Sequence, residues 1–172
     1  MKHSKNTIFR RVIFIILTFA AFVLQFTYIP TLSLPFPVYV LIPLSVSVAM
    51  FEKEFSGMLF GLLAGILWDM ASPMPDGILA LGFCIFAFIT GLLTRYLTRN
   101  TLLSALLLSF AACVIYSAAA LPATDFSSDP ILLREIVVSV YLPATALSSL
   151  LTLPVYFGVR KISVALRNEK SA

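Results

Sequence analysis

A bundle of six membrane-spanning α-helices is the fold this sequence predicts, on three observations. Of 172 residues, 60% are hydrophobic and 12% charged, with a mean hydropathy of +1.00, which is about half the charge of a water-soluble domain. The charges are also clustered, leaving uncharged runs at 12–51, 77–94, 100–124 and 136–159, and runs of about 18 residues or more read as membrane spans. Finally, with the N-terminus in the cytoplasm and six alternating helices, eleven of the twelve Lys and Arg residues fall on the cytoplasmic side and only Arg134 outside, as the positive-inside rule requires. About six spans of ~20 residues use up most of such a chain, so 1–172 is expected to form one integral membrane domain with both termini cytoplasmic.

The run 12–51 is too long for one crossing and is interrupted by Pro30, Pro35 and Pro37, which favour extended or turning backbone. It divides into helices at about 12–29 and 36–51, with Pro43 as a kink site in the second. The basic start (Lys2, Lys5, Arg10, Arg11) resembles that of a signal peptide, but the apolar part is long and lacks a small-residue cleavage site; an uncleaved first span is expected. The third helix, about 55–70, is short enough for a re-entrant segment. Charge favours a crossing, because a failed one would move Arg95 and Arg99 outside and the Asp125 and Asp129 loop inside. The remaining helices are expected at about 78–94, 101–121 and 136–158. Pro143 and Pro154 in the last each free a carbonyl that neighbouring helices or water must satisfy. The basic tail 159–172 is expected either to lie along the lipid surface or to act as a stop-transfer anchor.

Several classes of function are disfavoured. The net charge of +4 is strung along one membrane face in pairs, so topology accounts for it and no nucleic-acid partner is expected. Cys84 and Cys113 lie in separate apolar runs and read as small hydrophobes. His3, the one histidine, has no companion ligand, so neither a metal nor a cofactor is expected. There is no zinc-binding helix motif, no intramembrane Ser/His pair and no second carboxylate to form a dyad with Asp69. An enzyme is not expected.

The informative constellation lies in the third helix, where Gly57, Gly61, Gly65 and Asp69 recur every four residues and share one face. Glycines so spaced allow a second helix to approach closely in lipid, either within the bundle or from a partner. Asp69 falls in the last turn, where the helix dipole disfavours an anion, and an ionisable group at membrane depth implies a partner or a function. Two roles are open: accepting hydrogen bonds from backbone amides of the following turn at 71–77, which holds Pro73, Pro75 and Gly77, or contacting another protein.

The stretch 61–69, Gly-Leu-Leu-Ala-Gly-Ile-Leu-Trp-Asp, followed by Gly77-Ile-Leu-Ala-Leu81, resembles the bacterial rod shape-determining MreD family. Ser72, Pro73 and Gly77 match the turn of that family, Trp68 is also in keeping, and Asp76 departs from the apolar residue more usual there. The resemblance implies an inner-membrane, non-enzymatic scaffold of the cell-elongation machinery, whose fold is like the substrate-binding subunits of energy-coupling-factor transporters. The partners it implies are the single-span protein MreC and, further, MreB, RodA and a penicillin-binding transpeptidase. Gly57, Gly61, Gly65, Asp69 and Gly77 become the expected partner-binding or helix-packing residues. The alternative is a vitamin-type transporter subunit, suggested by that fold and by the outward Asp69, Asp76, Asp125, Asp129 and Glu135, although the first helix offers only adjacent Ala20 and Ala21 where such subunits space small residues.

Overall fold

The computed structural model describes residues 2–28, 36–52, 54–72, 77–96, 101–120 and 134–168, side chains at 2–7 and 166–168 excepted. Among these residues the chain is all helical. Helix α1 (Lys2–Val23) widens into a π turn (Leu24–Tyr28); α2 is Leu41–Phe51, α3 Glu54–Asp69, α4 Ile78–Tyr96 and α5 Leu102–Ala120. Helix α6 (Leu142–Asn168) is entered through a second π turn, Val137–Tyr141. The 121–133 loop with Asp125 and Asp129, and the turn residues 73–76 with Asp76, lie outside the described residues.

Four helical stretches are long and apolar enough to cross a membrane: Ile8–Tyr28, Ile78–Tyr96, Leu102–Ala120 and Arg134–Ala165. The other two are shorter. At 1.5 Å per residue, the 11 residues of α2 and the 16 of α3 extend about 16 and 24 Å, against a hydrocarbon core of about 30 Å. Successive helices still alternate in direction, as their contacts show. Phe14 meets Phe60 and the 26–28 end of α1 reaches Trp68, so α1 runs with α3. Gly57 meets Ala49, Gly61 meets Phe83 and Ala87, and Gly65 meets Leu79 and Ala80, so α3 runs against both α2 and α4. Tyr39 reaches Tyr116 at the far end of α5, and Ala105 near its start joins Met50 and Tyr156. Arg10 and Tyr156 therefore mark the same end of the bundle, and Asp69 the opposite one.

Helix α2 is the centre, buried from Leu41 to Met50 and packed by α1, α3, α4, α5 and α6. It begins at Leu41, later than the expected 36, because the preceding irregular segment finds partners far away in sequence. Tyr39 N donates to Ser148 Oγ at 2.8 Å, while Val40 N and Leu41 N donate to Gln25 Oε1 at 2.8 and 2.9 Å. Irregular backbone at membrane depth is tolerated where protein buries and satisfies it in this way. Pro43 sits in the first turn of α2, where a missing N–H removes no intrahelical bond, so the kink expected there has no cause.

Both chain-end expectations also change. Helix α1 starts at Lys2 rather than at 12, since extending a formed helix adds one hydrogen bond for each residue fixed. Helix α6 runs unbroken through 159–168, and the first turns of the basic tail turn a face inward: Val159 and Ser163 are buried and Ile162 packs against the core, while Arg160, Lys161 and Val164 are exposed. Upstream, the π turn stands directly before Pro143, with Leu142 N donating to Val137 O; this wider turn accommodates a residue that has no N–H.

Candidate functional site

The α3–α4 hairpin is built on the glycine ridge. A Cβ at Gly61 would lie 2.5 Å from Ala87 Cβ and 2.6 Å from the Phe83 carbonyl oxygen, and one at Gly65 would lie 2.5 Å from Ala80 Cα and 2.8 Å from Leu79 O. Only glycine permits this approach. Rows of residues four apart run obliquely to a helix axis, and the ridge accordingly passes from one neighbour to the next: Gly57 faces Ala49 of α2, while Gly61 and Gly65 face α4. Of the two uses open to this face, packing within the bundle is seen in the structure, where the chain's own α4 lies against Gly61 and Gly65.

Asp69 ends the ridge, with 9% of its surface exposed. Its Oδ2 accepts hydrogen bonds from Gly77 N (3.1 Å) and Ala80 N (2.9 Å), and its Oδ1 accepts one from Leu79 N (3.2 Å). One donor belongs to the turn that the sequence suggested; the other two belong to the first turn of α4. The acid that is misplaced at the C-terminus of its own helix is thus well placed at the N-terminus of the next. Unfavourable interaction with one dipole is worth about 0.3–1 kcal/mol, whereas a hydrogen bond to a charged group contributes about 1.5–3 kcal/mol, so the capping role prevails. Gly77 makes the geometry available through a φ of +91°, a conformation that glycine adopts without the penalty other residues meet.

Immediately before Asp69, Trp68 is 3% exposed and meets Phe26, Tyr39, Phe83 and Tyr116, with ring centroids 4.7–6.2 Å apart. These rings come from the end of α1, the segment before α2, and helices α4 and α5. They fill the described part of this end with aromatic packing.

The sequence profile of the rod shape-determining protein MreD matches residues 5–163. The chain belongs to the MreD family. No curated protein and no solved structure matches it. Membership places it in rod shape determination in bacteria, and its apolar helices make it a multi-pass membrane protein. The glycine–Asp–turn–glycine pattern of the MreD resemblance lies inside the matched region, and the structure folds it as the capped hairpin.

Other structurally decisive residues of this MreD-family chain escaped the sequence reading. Gln25 caps α2 across a 15-residue separation just as Asp69 caps α4, and both caps lie at the same end of the bundle. At the other end, Arg10 grips Glu52 with Nη2 to Oε2 at 3.0 Å and Nε to Oε1 at 2.7 Å, Arg11 donates to Ser56 Oγ at 3.1 Å, and Arg95 pairs with Glu54. Two helices, α1 and α4, are thereby tied to the α2–α3 connection. A detectable signal did exist on α5: Ala105, Ser109, Cys113 and Ser117 recur every four residues and are all buried, the small-residue spacing that lets α5 lie close to a neighbouring helix.

The Glu52 side chain is 2% exposed, which gives its pair with Arg10 a distinct mutational signature. Arg10→Ala is expected to lower stability by about 3–5 kcal/mol by stranding a buried charge, whereas Arg10→Met combined with Glu52→Leu is expected to be near neutral. Thermal unfolding in detergent, measured on both variants, checks this.

Proposed function

We propose that this protein is a non-enzymatic scaffold of the inner membrane that captures the single membrane helix of an MreC-type partner and links it to MreB, RodA and a penicillin-binding transpeptidase in lateral wall synthesis. In this orientation the Arg10 end is cytoplasmic and the Asp69 end faces outward. The observation that carries the scaffold reading is the MreD match over 5–163; a groove beside the glycine ridge supports it.

With the glycine ridge filled by α4, the adjoining surface is an apolar groove of about 340 Å3 between α4 and α5, floored by Ile42 and Ser45 of α2. Gly82, Ala112 and Ala119 line it, small residues of the kind that admit a helix backbone in lipid. A Cβ at Gly82 would meet nothing within 4 Å, so a larger side chain there fills the groove without disturbing the fold. Gly82→Leu is expected to lower co-purification of MreC by about tenfold or more, an interaction loss of about 1.4 kcal/mol. Capture at the wild-type level would place the partner elsewhere; failure of the wild-type protein to retain MreC at all would overturn the scaffold reading. The transporter alternative gains no support, because the described outer end is packed with the rings around Trp68.

A further inference from the structure

At the Arg10 end of the bundle, Arg10, Glu52, Glu54, Gly91, Thr94 and Arg95 line an open cleft of about 390 Å3, with Met50 and Phe51 beside them. We infer that this cleft is a lipid site that holds the headgroup of an aminophospholipid, of the phosphatidylethanolamine class, at the membrane interface. The inference concerns lipid and does not depend on the identity of the protein partner.

The position comes first. Arg10 precedes the uncharged run that begins at Val12, Glu52 and Glu54 flank the α2–α3 connection, and Arg95 directly follows the run that ends at Thr94. All four charges therefore sit where apolar helices end, which is the depth of lipid headgroups. The lining also combines the two polarities of a headgroup joined to its chains: two carboxylates and two guanidiniums together with Met50 and Phe51.

The mixture of signs selects the class. The Arg10–Glu52 pair is sunk into the protein, with the Glu52 side chain 2% and that of Arg10 19% exposed, whereas Glu54 is 17% and Arg95 63% exposed. Arg95 uses one N–H on Glu54 and has five in all, so it can also bind a phosphate oxygen. A carboxylate accepts about four hydrogen bonds, so Glu54 can accept from an ammonium while paired to Arg95. An anionic lipid without an amine would place no donor against the carboxylates, and a choline headgroup has a positive charge but no N–H to donate. An ethanolamine phosphate meets both requirements. Lys53, between the two glutamates in sequence, lies outside the described residues.

The test is native mass spectrometry of the full chain, stripped of lipid in detergent and titrated with phosphatidylethanolamine, its N-methyl and N,N-dimethyl derivatives, and phosphatidylcholine of identical acyl chains. Affinity is expected to fall stepwise as N–H groups are lost, by about tenfold across the series, the worth of one hydrogen bond to a charged group. Glu54→Gln, which alters a partly exposed pair rather than the buried one, is expected to flatten the series. Equal affinity of the wild-type protein for all four lipids overturns the inference whatever the variant does. So does a series that stays equally steep in a folded Glu54→Gln protein, or one in which soluble phosphoethanolamine competes as well as the lipid, since the site would then not be a lipid site.

Discussion

Gly65→Leu is expected to yield a protein that inserts but does not complete its hairpin, and it should be the most damaging single change in the chain. The added Cβ would fall 2.5 Å from Ala80 Cα and 2.8 Å from Leu79 O, both backbone atoms, so no side-chain rotation relieves the clash. Helix α4 would have to move away from α3, and its first turn would leave the Asp69 carboxylate. Even Gly65→Ala carries the offending atom and is expected to cost about 1–3 kcal/mol, as over-packing does. The comparison with Gly82→Ala separates sterics from helix propensity: nothing lies within 4 Å of a Cβ at Gly82, and alanine in a helix interior gains about 0.5–1 kcal/mol over glycine. Thermal unfolding in detergent should move in opposite directions for the two alanine variants; equal shifts would mean that the close approach of α3 and α4 contributes nothing to stability.

Asp69→Ala is expected to be nearly as severe for a different reason. It strands the amides of Gly77, Leu79 and Ala80, of which the latter two donate within the buried part of the hairpin. Each buried group left unsatisfied costs about 1–3 kcal/mol, so a loss on the order of 3 kcal/mol or more is expected for the set. Asp69→Asn should fall between, because its single carbonyl oxygen can accept bonds while its NH2 confronts the amides as another donor. The useful readout is local: hydrogen exchange at Leu79 and Ala80 should accelerate in both variants, while α5 and α6 stay protected. If those two amides remain protected in Asp69→Ala, the carboxylate is not what caps α4.

What the sequence made legible were places where local rules conflict. An acid in the last turn of a helix, three glycines on one face and Gly77 after a proline-rich turn are each costly alone, and the hairpin reconciles all three. The class of fold was equally legible from charge clustering. Uniform hydrophobicity, by contrast, erases the periodicity that separates helix from extended chain, so past Pro37 nothing local marks 38–40 as non-helical. The late start of α2 is decided by Gln25 and Ser148, which lie 16 and 109 residues from the amides they hold. The same holds for Arg10 with Glu52 and Arg95 with Glu54, separated by 42 and 41 positions. A lone glutamine in an apolar run, or a glutamate near a span end, carries no address for such a partner. The small-residue row on α5 was readable by the spacing already applied to α3, but serine, alanine and cysteine stand out less than glycine.

The bond from Tyr39 to Ser148 also bears on how the molecule is made. Ribosomes deliver the chain from its first residue onward, and the backbone group ahead of α2 must wait for a hydroxyl synthesised 109 residues later. Until α6 arrives, that stretch has neither its final neighbour nor a full protein wall against the lipid tails. The surroundings of the central helix are therefore completed only after α6 has been made.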